Sequence, residues 1–270
     1  MASPQPRPAI PEDVKRTVRQ RCAFGCVLCG IPLYTYEHML GWANVQRHLA
    51  EEITLLCDRH QRERTNNLLT ATQVQEANRD PYNLRTGVSR PYDLHFAGPH
   101  CSIGIAGNEF VATDAGTGLV VLPLVIDGHP IVMFEGLDGH LLLSLTVADE
   151  SNFHVLVIDR NELVYKVDPW DVEFVGRRLI VREGPGQILI EIEFQPPNRI
   201  SLTRGRVLCD GVEVILGDSL VINGAGVTFQ GNIFFQSGPM AGIVIGPNAP
   251  AIPTFWRVPR INRYPKRAAR

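Results

Sequence analysis

The sequence has no long hydrophobic run. No stretch of its 270 residues approaches the roughly 18 consecutive apolar residues that cross a membrane as a helix. The first residues, MASPQPRPAIPEDVKR, lack the apolar segment of a signal peptide. We therefore expect a cytoplasmic protein that has no membrane partner.

Cysteine is scarce, and its placement is uneven. Six cysteines are too few and too irregularly spaced for the disulfide framework of a small secreted protein. Four of them lie close together in the sequence: Cys22, Cys26, Cys29 and Cys57. In a reducing compartment, such crowding favours metal binding over disulfide formation. Cys101 and Cys209 lie in apolar strand patterns, so we expect them to be core thiols.

The chain has little net charge, −2 in total, but the charge is unevenly distributed. Residues 1–90 carry 12 basic and 9 acidic side chains, residues 91–256 carry 8 and 19, and residues 257–270 carry 6 and none. A polyanion such as DNA would therefore meet the two ends of the chain before its acidic middle. The last segment, RVPRINRYPKRAAR, is either a solvated terminus or a phosphate-binding tail.

Composition divides the chain into a helical, cysteine-containing start and a long β-rich remainder, which is an α+β class with two domains. Helical patterns occupy residues 11–20 and 59–80, and the second pattern is broken near Asn66-Asn67. Two Pro-Tyr segments within residues 81–97 predict an extended connection between the domains.

From residue 98 onward, short β-branched runs alternate with Gly, Asp and Asn turns. In LIEIEF, residues 189–194, apolar and acidic side chains alternate as in an antiparallel strand. Eight such runs predict a sandwich-like, mainly antiparallel all-β domain over 98–200. Shorter strands over 201–250 predict a β-roll or β-helix-like extension, or further hairpins of the same sandwich. Residues 251–270 would form a basic tail.

Four aspartates of this β region lie beside Gly, Pro, Asn or Arg, where turns are expected. Aspartate favours turns because its side chain bonds to the backbone nearby. We interpret these residues as turn formers, with Ca²⁺ binding as an alternative: Asp127, Asp138, Asp159 and Asp168.

Two ligand pairs, Cys26-x-x-Cys29 and Cys57-x-x-His60, have the spacing of a zinc site. At this spacing each pair can bind one tetrahedral ion through a tight turn. Gly30 follows the first pair, at a position that commonly takes a backbone angle favouring glycine. The motif predicts a structural Zn²⁺ bound by all four side chains. The alternative is free thiols and a surface histidine.

Glu37-His38 lies between the two pairs, and the basic segment EITLLCDRHQRERT follows it. With the CVLC pair, this arrangement over about residues 20–70 resembles the HNH endonucleases. Their ββα-metal fold holds a catalytic divalent cation and is often supported by a separate zinc site. The resemblance implies an HNH-like zinc domain over 1–80 and hydrolysis of DNA phosphodiester bonds. Residues 155–183 resemble β-rich accessory modules attached to HNH domains in bacterial proteins.

The resemblance also implies a role for each site residue. His38 would be the general base that takes a proton from water as it attacks phosphorus. Glu37 and Gln61 would bind the catalytic Mg²⁺ or Mn²⁺. Four arginines would contact the phosphates of the expected partner, DNA: Arg47, Arg59, Arg62 and Arg64.

Two positions depart from the HNH pattern. The family generally has asparagine five residues before the third zinc ligand, where this chain has Glu52, and histidine or asparagine after the fourth ligand, where it has Gln61. A glutamine carbonyl binds magnesium less firmly, so we expect weakened activity. A second interpretation is therefore a catalytically weak HNH-derived module that binds nucleic acid while the β domain binds a partner or self-associates. A third is a purely structural zinc domain.

Overall fold

The chain forms two compact units that divide between Arg90 and Pro91. The structure, a computed structural model, describes residues 8–114, 116 and 118–265. The division lies inside the predicted connection of residues 81–97. The β-rich character predicted for the remainder is confirmed by the strands described below.

Unit 1 combines short helices with one antiparallel hairpin. The β-strands are paired so that Thr35 lies opposite Leu56 and His38 lies opposite Ile53. A 3₁₀ turn at Ala50–Glu52 precedes the second strand. The elements are α1 (Glu12–Arg21), β1 (Thr35–His38), α2 (Trp42–Val45), β2 (Ile53–Leu56), α3 (Asp58–Thr65), α4 (Ala71–Arg79) and α5 (Tyr82–Thr86).

The helices that precede and follow the hairpin agree with the predicted patterns. α1 starts directly after Pro11, with acidic side chains in its first turn and basic ones in its last, as the helix dipole favours. The predicted break near Asn66-Asn67 separates α3 from α4, and Asn67 is left-handed with φ 58°. α4 then begins at a capping box formed by Thr70 and Gln73. Within the described part of the chain, no helix is both long and apolar enough to cross a bilayer.

The helix α5 was missed by the sequence analysis, which predicted an extended connection there. Pro81 precedes the helix, and Gly87 ends it in a left-handed conformation with φ 76°. Asn83 of α5 is buried, and its Nδ2 donates a hydrogen bond to the carbonyl oxygen of Ala23 at 2.9 Å. The first Pro-Tyr segment is therefore part of unit 1, because its side chains pack there.

Unit 2 consists of two large β-sheets. Its strands are β3 (Tyr92–Asp93), β4 (Cys101–Ile105), β5 (Asn108–Ala112), β6 (Val120–Ile126), β7 (His129–Leu137), β8 (His140–Ala148), β9 (His154–Asp159), β10 (Glu162–Tyr165), β11 (Asp171–Val175), β12 (Arg178–Gly184), β13 (Gln187–Gln195), β14 (Arg199–Cys209), β15 (Val212–Leu216), β16 (Leu220–Ile222), β17 (Val227–Phe229), β18 (Ile233–Gln236), β19 (Met240–Ile245) and β20 (Thr254–Val258). One sheet has the order β20-β19-β6-β7-β8-β9-β10-β3. The other sheet runs from β11 to β17 in sequence order and also includes β4, β5 and β18.

The strands predicted as a separate β-roll or β-helix-like extension belong to these two sheets. β18 pairs in parallel with β5, and β19 pairs in parallel with β6, so this segment returns to strands more than a hundred residues earlier in the chain. The return depends on close backbone packing, because a Cβ added at Gly242 would lie 2.3 Å from the ring of Phe110. The alternative prediction, further hairpins of the same sandwich, agrees with the antiparallel pairing of β15, β16 and β17 but not with the parallel pairing of β18 and β19.

Several tight hairpins link neighbouring strands of unit 2. Their two central residues both have positive φ, as in the type I′ turn that suits twisted strands. Asp127 and Asp138 occupy such positions, each followed by glycine, which confirms their interpretation as turn formers. The turns are Ala106-Gly107, Asp127-Gly128, Asp138-Gly139, Arg160-Asn161 and Asp210-Gly211.

The described part of the predicted basic tail is docked against unit 2. Its first residues contribute to β20, which pairs with β19. Further along, Asn262 and Tyr264 donate backbone hydrogen bonds to the carbonyl oxygens of Gly224 and Gly211 at 3.3 and 2.9 Å. Up to residue 265 the backbone of this segment is therefore held by turn glycines, while most of its side chains remain exposed. The rest of the tail, residues 266–270, lies outside the described residues.

Candidate metal centre

Three thiols and one imidazole of unit 1 converge on a single point. The ligand atoms of Cys26, Cys29, Cys57 and His60 all lie within 4.8 Å of one another. Nδ1 of His60 is 3.2 Å from the sulfurs of both Cys26 and Cys57. Both predicted ligand pairs are thus brought together. Cys22 lies outside this cluster, with its sulfur 3.8 Å from the hydroxyl oxygen of Thr54.

The first ligand pair sits in a tight turn that requires glycine. The amide of Gly30 donates to the carbonyl oxygen of Cys26 at 2.7 Å, and Gly30 has φ 74°, the backbone angle predicted for this position. We call this turn, residues 26–30, the knuckle. Its missing side chain also leaves room for α5, since a Cβ there would lie 2.2 Å from Oδ1 of Asn83. The amide of Val27 donates to the carbonyl oxygen of Leu55 at 3.0 Å, which fixes the knuckle against β2.

The second ligand pair lies where β2 gives way to α3. Cys57 caps the helix, and its carbonyl oxygen accepts the first intrahelical hydrogen bond, from Gln61, at 2.9 Å. A spacing of three residues across this helix start places Cys57 and His60 on one face. Because Nδ1 of His60 faces the sulfurs, Nε2 points away from them and lies 3.9 Å from a carboxylate oxygen of Glu63.

The donor set fits zinc. The sulfurs of Cys29 and Cys57 are 3.8 Å apart, and two sulfurs about 2.3 Å from a tetrahedral Zn²⁺ would be separated by about 3.8 Å. Hydrogen bonds with the thiols of Cys26 and Cys29 lower the pKa of Cys57, whereas hydrogen bonds with Cys29 and Cys57 raise the pKa of Cys26. Thiolate is the form that binds metal, and a cation would replace the protons that the thiols share. The cluster can therefore hold a metal ion such as zinc.

Strand β1 presents its adjacent candidate residues to different surroundings. Successive side chains of a strand point to opposite faces, so Thr35 and Glu37 share one face. The hydroxyl of Thr35 donates to Oε1 of Gln61 at 2.9 Å, and a guanidinium nitrogen of Arg64 lies 3.4 Å from the carbonyl oxygen of Met39. These contacts align α3 with β1, so the face that carries Glu37 is the face next to Gln61.

His38 lies under the long loop between β1 and β2. Its Nε2 is 3.0 Å from the carbonyl oxygen of Arg47 and 3.3 Å from Nδ1 of His48. The rings of Trp42 and His48 are stacked, with centroids 4.8 Å apart, and both rings contact that of His38. His38 is only 2% exposed. No sequence pattern indicates that Trp42 and His48 form this cover.

Glu52 is hydrogen-bonded within the loop between β1 and β2. Its carboxylate accepts hydrogen bonds from Nε and Nη2 of Arg47, and this guanidinium lowers the pKa of Glu52. Arg47 is also the residue whose carbonyl oxygen contacts His38. Arg47 therefore links Glu52 to His38, and these contacts anchor the loop.

The four arginines predicted to bind DNA have unlike surroundings. Arg47 is paired with Glu52, and Arg59 is paired with Glu63 at 2.9 Å, although both guanidiniums are largely exposed. Arg62 is exposed on α3, whereas Arg64 is half-buried beside β1. The guanidiniums of Arg47, Arg59 and Arg62 are therefore open to solvent, because ion pairs of exposed side chains are weak, whereas Arg64 is partly covered.

Comparisons with protein families, with curated proteins and with solved structures give no match to this chain. What unit 1 can do chemically is therefore inferred from the positions of its own side chains. That geometry contains a Cys₃His cluster able to bind metal, a hydrogen bond from Thr35 of β1 to Gln61 of α3, and a covered histidine.

Proposed function

We propose that unit 1 is a zinc-stabilised, metal-dependent endonuclease module of the HNH type, which hydrolyses phosphodiester bonds of DNA. The observation that carries the proposal is the arrangement around β1. Strand alternation puts Glu37 on the same face as Thr35, whose hydroxyl contacts Gln61 of α3, while the next residue, His38, is oriented by a backbone carbonyl. Hydrolysis of a phosphodiester needs a general base and oxygen ligands for a metal ion. Here the candidate base and ligands lie on one short strand and its partner helix.

The hydrogen bond to His38 selects its proton position. A carbonyl oxygen only accepts, so the 3.0 Å contact with Arg47 places a proton on Nε2. In the neutral ring, Nδ1 is then the nitrogen that takes a proton from the attacking water. Glu37 and Gln61 would hold Mg²⁺ or Mn²⁺, which would stabilise the negative charge that develops on the phosphate oxygens.

Access to His38 requires a movement of the loop that covers it. Trp42 and His48 lie against the imidazole, so a phosphate group reaches it when these rings move aside. Loop residues between β1 and β2 are mostly exposed or half-buried, and they contain short helical turns rather than a core. DNA binding would supply the free energy for this opening.

The second candidate is a module that binds nucleic acid without cutting it, while unit 2 binds a protein partner or a second copy. Two observations favour it. His38 is almost completely buried, and the side-chain oxygen of Gln61 already accepts a hydrogen bond from Thr35. The exposed guanidiniums of Arg59 and Arg62 are compatible with phosphate binding in either case.

A nicking assay separates these functions. The zinc-loaded protein is incubated with supercoiled plasmid and Mg²⁺ or Mn²⁺, beside His38→Ala and the control His129→Ala, which changes an exposed histidine of unit 2. We expect relaxed plasmid from the unchanged protein and from His129→Ala, and at least a 100-fold lower rate from His38→Ala, as for loss of a general base. Zinc content is measured for each variant, so that loss of folding is distinguished from loss of chemistry.

The nuclease proposal is contradicted if the unchanged, zinc-loaded protein leaves the plasmid supercoiled over a range of both cations. Duplex binding is then measured with a labelled oligonucleotide at several salt concentrations. Binding that weakens steeply with salt would support the second candidate, since released counterions drive such binding. Absence of binding would leave unit 1 as a structural zinc domain.

A further inference from the structure

Unit 2 contains an open groove that the proposed function does not use. Its volume is 680 Å³, within the range of about 300–1,000 Å³ typical of ligand sites. The groove is lined by the turn after β8, by the segment between β10 and β11, and by parts of β12, β13 and β14. Two aromatic side chains, Phe153 and Trp170, contribute to its walls.

The walls of the groove carry excess negative charge. Four carboxylates line it, those of Asp149, Glu150, Asp168 and Glu183, against two cations, Lys166 and Arg206, which leaves a balance of −2. Arg206 is already engaged, because it pairs with Glu183 at 2.6 Å and with Glu150 at 3.1 Å. The groove therefore favours a positively charged ligand.

The side chain of Lys166 shows how the groove can bind a positively charged group. The ammonium of Lys166 lies 4.8 Å from the centroid of the Phe153 ring. Phe153 is 49% exposed, so its ring remains accessible from solvent. Aromatic faces attract ammonium and guanidinium groups through the ring quadrupole. Carboxylates and an exposed aromatic ring together suit the side chains of lysine and arginine.

The described chain ends beside this groove. Asn152, in the turn that lines it, exchanges two hydrogen bonds of 2.9 Å with Asp210. A guanidinium nitrogen of Arg263 donates to the carbonyl oxygen of Asp210 at 2.8 Å, and the amide of Tyr264 donates to Gly211. Burial, together with the nearby carboxylate of Glu150, raises the pKa of Tyr264. Residues 263–264 are thus fixed at the hairpin that also holds one wall of the groove.

We propose that this groove binds the basic segment KRAAR, residues 266–270 of the same chain. The segment carries three positive charges, which complement the negative balance of the walls. It follows directly after the anchored residues, and five residues can span up to about 17 Å. Occupation of the groove would compete with the predicted use of these charges on DNA phosphates.

The test measures binding of the segment when it is supplied as a separate peptide. A fluorescent peptide YPKRAAR, with both ends blocked, is titrated by anisotropy into the full chain and into the full-length triple variant Lys266→Ala, Arg267→Ala, Arg270→Ala. We expect binding to the variant, and binding weakened about 10-fold or more in the unchanged chain. A short tether gives an effective concentration in the millimolar range, so it outcompetes a peptide that binds with a Kd of about 0.1 mM.

Two controls assign the binding to the groove. Within the triple variant, Asp168→Asn removes a charge from the groove wall and should weaken the peptide several-fold, while Asp159→Asn, an exposed turn acid outside the groove, should not. A peptide with glutamate in place of its basic residues should not bind. Failure of the triple variant to bind the basic peptide overturns the proposal. Equal affinities of the variant and the unchanged chain would also overturn it, because the groove would then be open in the unchanged chain.

Discussion

Replacing Gly30 by alanine should destabilise the knuckle by more than the cost of the left-handed backbone angle at this position. The left-handed conformation, φ 74°, costs a non-glycine residue about 1–2 kcal/mol. The new Cβ would also lie 2.2 Å from Oδ1 of Asn83, and displacing Asn83 removes its hydrogen bond to Ala23 inside the protein. A buried polar group left unpaired costs about 1–3 kcal/mol. We therefore expect Gly30→Ala to destabilise unit 1 by about 2–5 kcal/mol in total.

A second glycine provides the matched control. Gly87 has nearly the same backbone angle, φ 76°, but nothing lies within 4 Å of a Cβ placed there. Gly87→Ala should therefore cost only about 1–2 kcal/mol. Both variants are compared by amide hydrogen exchange of β2 in the zinc-loaded protein, which reports the local free energy of opening. Equal effects of the two substitutions would refute the packing of α5 against the knuckle.

Three further predictions concern the rest of the molecule. If unit 1 is a nuclease, Gln61→His should raise cleavage most with Mn²⁺, which accepts nitrogen ligands; an unchanged rate in the nicking assay would count against Gln61 as a ligand. Burial raises the pKa of Cys101 to about 12 from 9.0, so the folded chain keeps the proton that the unfolded chain loses as pH rises through 9. Urea unfolding should therefore show stability falling by up to about 1.4 kcal/mol per pH unit between about 9 and 12, and Cys101→Ala should flatten this slope. Arg263→Ala should destabilise unit 2 by about 1–2 kcal/mol, because it removes hydrogen bonds of 2.5 and 2.9 Å to Asp127, whereas the exposed Arg260→Ala should have no effect on its thermal unfolding.

Local patterns of the sequence predicted much of unit 1. Ligand spacing identified the Cys₃His cluster because a tight turn and a helix start each bring residues three apart together. The break at Asn66-Asn67 was also predicted correctly, since turn residues interrupt the helical pattern there. By contrast, α5 has five residues and becomes stable through burial of Asn83 against the knuckle, a contact that no local pattern reveals.

Long-range pairing in unit 2 could not be predicted from local alternation. Strand patterns indicate which residues face a core, but not which strands are neighbours. β19 joins β6 across more than a hundred residues, and the clearance at Gly242 that permits this packing is visible only in three dimensions. The docked tail is a similar case, because the partner of Arg263 is Asp127, in a turn far away in the sequence.

The sequence indicates that the candidate catalytic residues lie near one another, but it does not indicate how accessible they are. The adjacency of Glu37 and His38 places them on one strand, and the structure sets Gln61 beside the same strand. The covering rings come from a loop without a regular pattern, so the burial of His38 could not be predicted. The hydrogen bonds from Arg47 to Glu52 were equally hidden, because they join residues of the same irregular loop.

The most direct test of the account is the metal content and coordination of the purified protein. Elemental analysis of protein expressed without added metal should give one zinc per chain. X-ray absorption should then show three sulfur ligands at about 2.3 Å and one nitrogen ligand at about 2.0–2.1 Å. Cys57→Ser should lose the metal and destabilise unit 1, because binding of a structural metal is coupled to folding. A Cys57→Ser protein that keeps stoichiometric zinc and full stability, or a metal bound without sulfur, would contradict the Cys₃His site.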